Sequence, residues 1–320
     1  MATDLHRYAL AWLMAAILSP PALAQATAED TAHPLVDRIW NTRSQRYVSV
    51  TEVESQLKDA RFILLGEIHD NASHHRFRRD LIAALVRDGR RPAIAMEQFD
   101  RDHQTALDRA QNELPRDPER VKNASHFNSK GWNWSFYEPM VRMALDHNLP
   151  LLAANMSRAD AFRVSTEGAA GVLGTATVDA LKLDSPLPDV ARRKLEKVIE
   201  DGHCGKAPRE ILPGIVAAQR ARDAIMAQTL SRQTATGAVL IAGNGHVRRD
   251  FGVPHYLEQY ADGSNTVVVG LIEVNGARQT PDDYYTGEYP EYDFIVFTPR
   301  TPRPDPCKDI RFKPRQPEQG

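Results

Sequence analysis

Apolar residues along this chain fall into two alternating patterns. Short continuous runs, Phe62 to Leu65, Ala93 to Met96, Leu151 to Ala154, Ala238 to Ala242, Thr266 to Glu273 and Phe294 to Thr298, read as buried strands. Between them lie stretches with helical spacing. Phe77, Leu81, Ile82, Leu85 and Val86 mark a helix that starts near Ser73 and is closed by Gly89. Further helices are expected at about 101–113 and from the Lys130–Pro139 segment to about His147, with Pro139 in the first turn, where its missing donor costs nothing. Residues 34–57 read as mixed, with Val48 to Val53 an edge strand or a cover, and Pro115 and Pro118 mark a polar loop.

From Arg158 to Gln233 no strand pattern appears, and helices are expected at about 159–167, 176–183, 188–201 and 214–231. The expectation is an α/β fold: a mostly parallel sheet flanked by helices over residues 34–300, with an all-helical subdomain inserted at about 158–235. The strand at 294–298 is a candidate antiparallel edge, and residues 301–320 form an extended tail.

The expected strands end in polar clusters: Glu67 and His69 after Gly66, which is expected to turn the backbone, Glu97, Asn155 with Arg158, and His246 with Arg248 after Gly243 and Gly245. Parallel strands joined by right-handed crossovers present their carboxyl ends on one edge, where ligands bind. Glu67 and His69 share one side of an extended segment. Glu67, His69, Glu97 and His246 are therefore candidate catalytic groups, or ligands of a divalent metal, in a hydrolase. No GxGxxG, P-loop, His-Glu-x-x-His or Gly-x-Ser-x-Gly motif is present. His74 and His75 read as surface residues at a helix start.

Composition narrows the partners. Lys and Arg number 40 against 42 Asp and Glu, which speaks against nucleic acid. His6 and Arg7, the apolar Tyr8 to Leu18 and small residues before Ala24 have the layout of a secretory signal over residues 1–24. That segment is too short to span a bilayer, and no other stretch is a membrane span, so a periplasmic or secreted protein is expected. In an oxidising compartment Cys204 and Cys307 can form a disulfide; alternatively Cys204 is a free thiol beside His203.

Several segments form an ordered set: Gly66-Glu67-Ile68-His69 with His74-His75, Met96-Glu97-Gln98-Phe99, Trp134 to Pro139, Ala154 to Arg158, Ala218 to Asp223 with Met226-Ala227, and Gly243-Asn244-Gly245-His246. This set, over about 55–260, resembles the ChaN haem-binding uptake family, of the superfamily that also holds Tiki/TraB-type proteases and erythromycin-esterase-like enzymes. The resemblance implies an α/β domain with a helical subdomain, haem as cofactor held between the protomers of a homodimer, and an outer-membrane haem receptor as partner in iron uptake. Family members are often lipoproteins, whereas no lipobox cysteine is present near Ala24. Within the haem reading, Tyr137 or His203 is the candidate iron ligand, and Arg158 and Arg248 the candidate propionate partners.

Overall fold

Strand residues of alternating parity bury into two different cores. The computed structural model describes residues 32–233, 235–260, 265–285 and 290–308, so the signal-like residues 1–24 and residues 309–320 lie outside the described residues. Among the described residues eight strands form one sheet: β1 (Ile39–Asn41), β2 (Arg46–Val48), β3 (Phe62–Glu67), β4 (Ala93–Asp100), β5 (Leu151–Asn155), β6 (Ala238–Gly243), β7 (Thr266–Glu273) and β8 (Phe294–Thr298). Their order is β2-β1-β8-β7-β3-β6-β4-β5, and every pair from β8 to β5 is parallel.

The helices are α1 (Val50–Asp59), α2 (Ala72–Arg87), α3 (Gln104–Asn112), α4 (Pro118–Ala124), α5 (Trp134–Asp146), α6 (Arg158–Glu167), α7 (Ala169–Leu173), α8 (Thr175–Ala180), α9 (Asp189–Gly202), α10 (Leu212–Ser231), α11 (Asn244–Val247) and α12 (Val253–Leu257). Ile63, Leu65, Ile94, Met96, Val239 and Ile241 pack against α2 and α5. Leu64, Ala95, Leu240 and Ala242 pack against α6, α10 and α12 on the opposite face. A sheet covered on both faces needs apolar residues at every position, which is why its strands appear as unbroken apolar runs rather than alternating ones. Between β5 and β6 the described residues contain helices and no strand.

Several local expectations are corrected. Residues 50–59 are helical because Ser49 and Glu52 form a reciprocal capping box, leaving β2 as the edge strand. The loop expected around Pro118 is α4, started by Asp117 as cap with Pro118 in the first turn. Pro139 lies inside α5, because Asn133 caps the helix one turn earlier. Strand β8 is not an edge: it pairs in parallel with β7 and receives β1 in antiparallel register. Gly66 continues β3 rather than turning it. A Cβ at Gly66 would strike the Asn244 side chain, whose amide exchanges hydrogen bonds with both backbone groups of Leu271.

Cys204 and Cys307 are disulfide-bonded, with Cα atoms 5.6 Å apart, which excludes a free thiol at Cys204. The segment leading to Cys307 crosses the sheet edge. There Arg303 pairs with Asp70 at 2.7 Å and with Glu273 at 2.7 Å.

Because Gly66 admits Asn244 by lacking a Cβ, Gly66→Ala forces the Asn244 and Val247 side chains of α11 to shift. The variant is expected to lose about 1–3 kcal/mol of stability, read as a lowered urea midpoint at unchanged m-value.

Candidate functional site

The carboxyl ends of β3, β4, β5 and β6 meet at one edge, as the parallel order requires. At the end of β3, Glu67 points to the α2 and α5 side with no exposed side-chain surface. It pairs with the equally buried Arg78 of α2, and its Oε1 accepts from the Tyr137 hydroxyl at 2.6 Å. The same oxygen is 2.9 Å from His69 Nδ1. An ionised carboxylate accepts only, so Nδ1 carries the proton and His69 Nε2 is left with its lone pair.

His69 is the exposed member of this chain of contacts, with 43% of its side chain open. Trp132 stands edge-on to its ring at 4.5 Å. Desolvation holds the His69 pKa below the ordinary value, with Glu97 opposing and His246 reinforcing that shift. Gly243 gives the imidazole room: a Cβ there would stand 3.0 Å from His69 Cε1.

His74 and His75 are buried, not surface residues as expected. His74 Nδ1 accepts from the Ile68 amide at 2.8 Å, and its Nε2 meets Thr298 Oγ1 at 2.8 Å. Burial lowers its pKa to about 3 and that of His75 to about 4, so both are neutral braces. His75 donates from Nε2 to the His69 carbonyl at 2.9 Å and stacks on Phe136 at 4.4 Å.

Glu97 belongs to the other face. Its Oε2 accepts the Gly243 amide at 2.7 Å, and its Oε1 lies 3.3 Å from His246 Nε2. His246 Nδ1 in turn meets Asp223 Oδ1 of α10 at 2.5 Å. Burial disfavours charge on His246, yet Glu97 and Asp223 outweigh it and raise its pKa to about 10. Asp223 itself is pushed up to about 6, chiefly by burial. Glu97 is held far below the carboxylate range: desolvation raises it, and the His246 imidazolium more than reverses that.

The four residues expected to act together therefore divide. Glu67 with His69 belongs to the α2 and α5 face, and Glu97 with His246 to the α10 face. Among the described residues no three His, Cys, Asp or Glu side chains are poised around a metal position. The commitment of both carboxylates to buried ion pairs argues against the hydrolase constellation. Arg248 lines neither strand-end cavity and is turned to acidic neighbours: its Nε and Nη2 meet Asp250 at 3.0 and 2.7 Å, and Nη2 also meets Glu291 at 2.7 Å. Tyr137 is fully buried with its hydroxyl committed to Glu67, which is not how an iron ligand would be presented. His203 follows α9, its Nδ1 2.7 Å from the Ile199 carbonyl, and lines neither cavity at the strand ends.

Those two cavities adjoin at Gly131 and Trp132. The outer one, about 610 Å³, is walled by His69, Trp132, Trp134 and Phe136 and flanked by Lys122 and Lys130. The inner one, about 240 Å³, holds Arg158 beside Glu97, Gln98, Asp100 and Arg222. Sequence reasoning missed Arg78, Asp223 and Arg222. For the first two a signal existed: each is a charged residue on the apolar stripe of its helix, Arg78 in register with His74, Leu81 and Ile82, and Asp223 beside Ala224, Met226 and Ala227.

Since the folded pKa of His246 lies above the ordinary value of about 6.5, its stabilisation is present in full below that pH and is lost as pH rises through about 10. His246→Gln leaves Glu97 and Asp223 buried without their counter-ion. It is expected to cost about 3–5 kcal/mol at pH 6 and progressively less toward pH 10 in paired urea denaturation series.

A family model described as haem-binding uptake, Tiki superfamily, ChaN matches residues 53–257. A solved structure of ChaN from Campylobacter jejuni, reported for its cofacial haem binding, is similar with a TM-score of 0.63 and 24% identity, covering 81% of this chain and 95% of that one. The type III effector HopBA1 aligns at a TM-score of 0.41 and 12% identity, over 77% of this chain and 91% of its own. A mutant of the erythromycin esterase EreC, in its open conformation, aligns at 0.41 and 13%, over 70% and 72%. Comparison with curated proteins finds no match. With its strand-end site and the four strands β3 to β6 inside the matched region, the chain belongs to the ChaN haem-binding uptake family of the Tiki superfamily.

Proposed function

We propose that this protein binds haem in the outer cleft, outside the cytoplasm, as a step in haem or iron uptake. The observation that carries this reading is His69: an imidazole exposed in an aromatic cleft, with Nδ1 braced by a buried carboxylate. Carboxylate bracing of one ring nitrogen is the usual arrangement behind a metal-bound histidine, because it fixes the tautomer and the ring orientation and so presents the other nitrogen's lone pair.

The donor set suits haem. Haem supplies an iron centre on a flat apolar ring that carries anionic propionates. His69 would offer Nε2 to the metal, Trp132, Trp134 and Phe136 would flank the ring, and Lys122 and Lys130 would meet the carboxylates. The volume of about 610 Å³ falls within the roughly 300–1,000 Å³ of small-molecule sites. Lys130 makes no ion pair among the described residues, whereas Lys122 is shared with Glu119 at 3.0 Å.

Export rests on the signal-like pattern of residues 1–24, and no described helix is long and apolar enough to cross a membrane. Because the cleft is open to solvent, a second protomer would cover the outer face of the ring. A homodimer and an outer-membrane receptor that hands over haem are the partners this reading calls for.

Haemin titration of residues 25–320 is expected to give a saturable Soret shift. His69→Ala should weaken it about tenfold or more, about 1.4 kcal/mol, with added imidazole restoring the band. Tyr137→Phe should leave the band position unchanged. Loss of the band in Tyr137→Phe with retention in His69→Ala would contradict the assignment of His69.

A further inference from the structure

The inner cavity has a polarity that the haem reading does not use. Its acidic side comes from β4, where Asp100 follows Glu97 and Gln98. Its basic side comes from two helices, Arg158 at the start of α6 and Arg222 on α10. Glu97 is neutralised by His246, so Asp100 is the carboxylate left without an ion pair. Neither the exposed Arg158 nor the half-buried Arg222 makes a side-chain ion pair or hydrogen bond among the described residues. The first turn of α6 adds its own positive end to the same side.

Charges of opposite sign thus face each other and do not touch. The Arg222 charge does reach Asp100: burial raises that carboxyl, and His103 and then Arg222 pull it back, yet no contact within ion-pair distance forms. Opposite charges that line one cavity without pairing are kept apart by the elements that carry them. Here Asp100 ends a strand whose register shifts between Met96 and Asp100, and Arg222 is fixed by the buried helix that carries it. A volume of about 240 Å³ admits a molecule of few heavy atoms, smaller than the usual drug-sized ligand.

We infer that the inner cavity is a binding site for a free α-amino acid, with its carboxylate between Arg158 and Arg222 and its ammonium group on Asp100. A simple carboxylate would satisfy only the arginines, and a simple amine only Asp100. The dipolar molecule fills the gap with both ends paired. The cavity adjoins the outer one at Gly131 and Trp132 and meets solvent at the exposed Arg158. The inference stands on the inner cavity alone and does not need haem in the outer one.

The test is calorimetric titration of the haem-free protein with the common L-amino acids, beside propionate and ethylamine as the one-ended analogues of alanine. One-to-one binding of at least one amino acid is expected, with alanine at least tenfold tighter than either analogue. Arg222→Gln and Arg158→Gln should each weaken it about tenfold, and Asp100→Asn should bring alanine and propionate to equal affinity. Circular dichroism melts of each variant separate lost binding from lost fold, and Arg158, at the first turn of α6, is the substitution least able to unfold the chain. Three results overturn the inference: no saturable heat with any amino acid, propionate binding as tightly as alanine in the unsubstituted protein, or haemin abolishing alanine binding while both arginine variants weaken haemin equally. The last would make the cavity the carboxylate end of the haem site.

Discussion

A carboxylate with no exposed surface, Glu67, is the constraint to which the site answers. Removing such a charge from water costs several kcal/mol, and the cost is offset only when the charge is paired and its lone pairs are filled. Arg78 supplies the counter-charge, and Tyr137 and His69 fill one oxygen. Each partner is then fixed in turn. Arg78 donates to His75 Nδ1 at 2.5 Å, and His75 holds the His69 carbonyl. The imidazole that reaches the cleft is thus the end of a chain of buried contacts.

The sheet explains why this network stops where it does. Successive residues of a strand point to opposite faces, so Glu67 and Glu97, on strands separated by β6, address different helices. One face gives Glu67, Arg78 and Tyr137; the other gives Glu97, His246 and Asp223. The two networks come together at the edge, where His69 packs against Gly243 and feels the charge of Glu97. The cleft is therefore supported from both layers, and the loop carrying it is also tied down from outside by Arg303 on Asp70.

Much of the architecture was legible in the sequence because burial on both faces writes an unbroken apolar run. Thr266–Glu273 and Phe294–Thr298 are strands over the full extent expected. Glu67 and His69 were legible as a pair because they close such a run. Their partners were harder to read: among the arginines of Arg76-Phe77-Arg78-Arg79 only Arg78 falls on the apolar stripe of α2 with Leu81 and Ile82, a weak signal that burial of the helix confirms. Tyr137 read as a ligand because its phenol was visible and its burial was not. Arg248 read as an anion receptor because one of the two carboxylates it pairs with, Glu291, comes from a distant segment, the other being Asp250 of its own loop.

The central claim is that Glu67 sets the tautomer of His69, leaving Nε2 open to the cleft. Nitrogen-15 NMR of histidine-labelled protein, titrated with acid, reads this directly. The account predicts that the His69 signal shows a protonated Nδ1 and an unprotonated Nε2 at neutral pH, with a pKa below that of a free histidine. A proton on Nε2 at neutral pH, or a signal averaged between the two tautomers as in a solvent-exposed histidine, would contradict it.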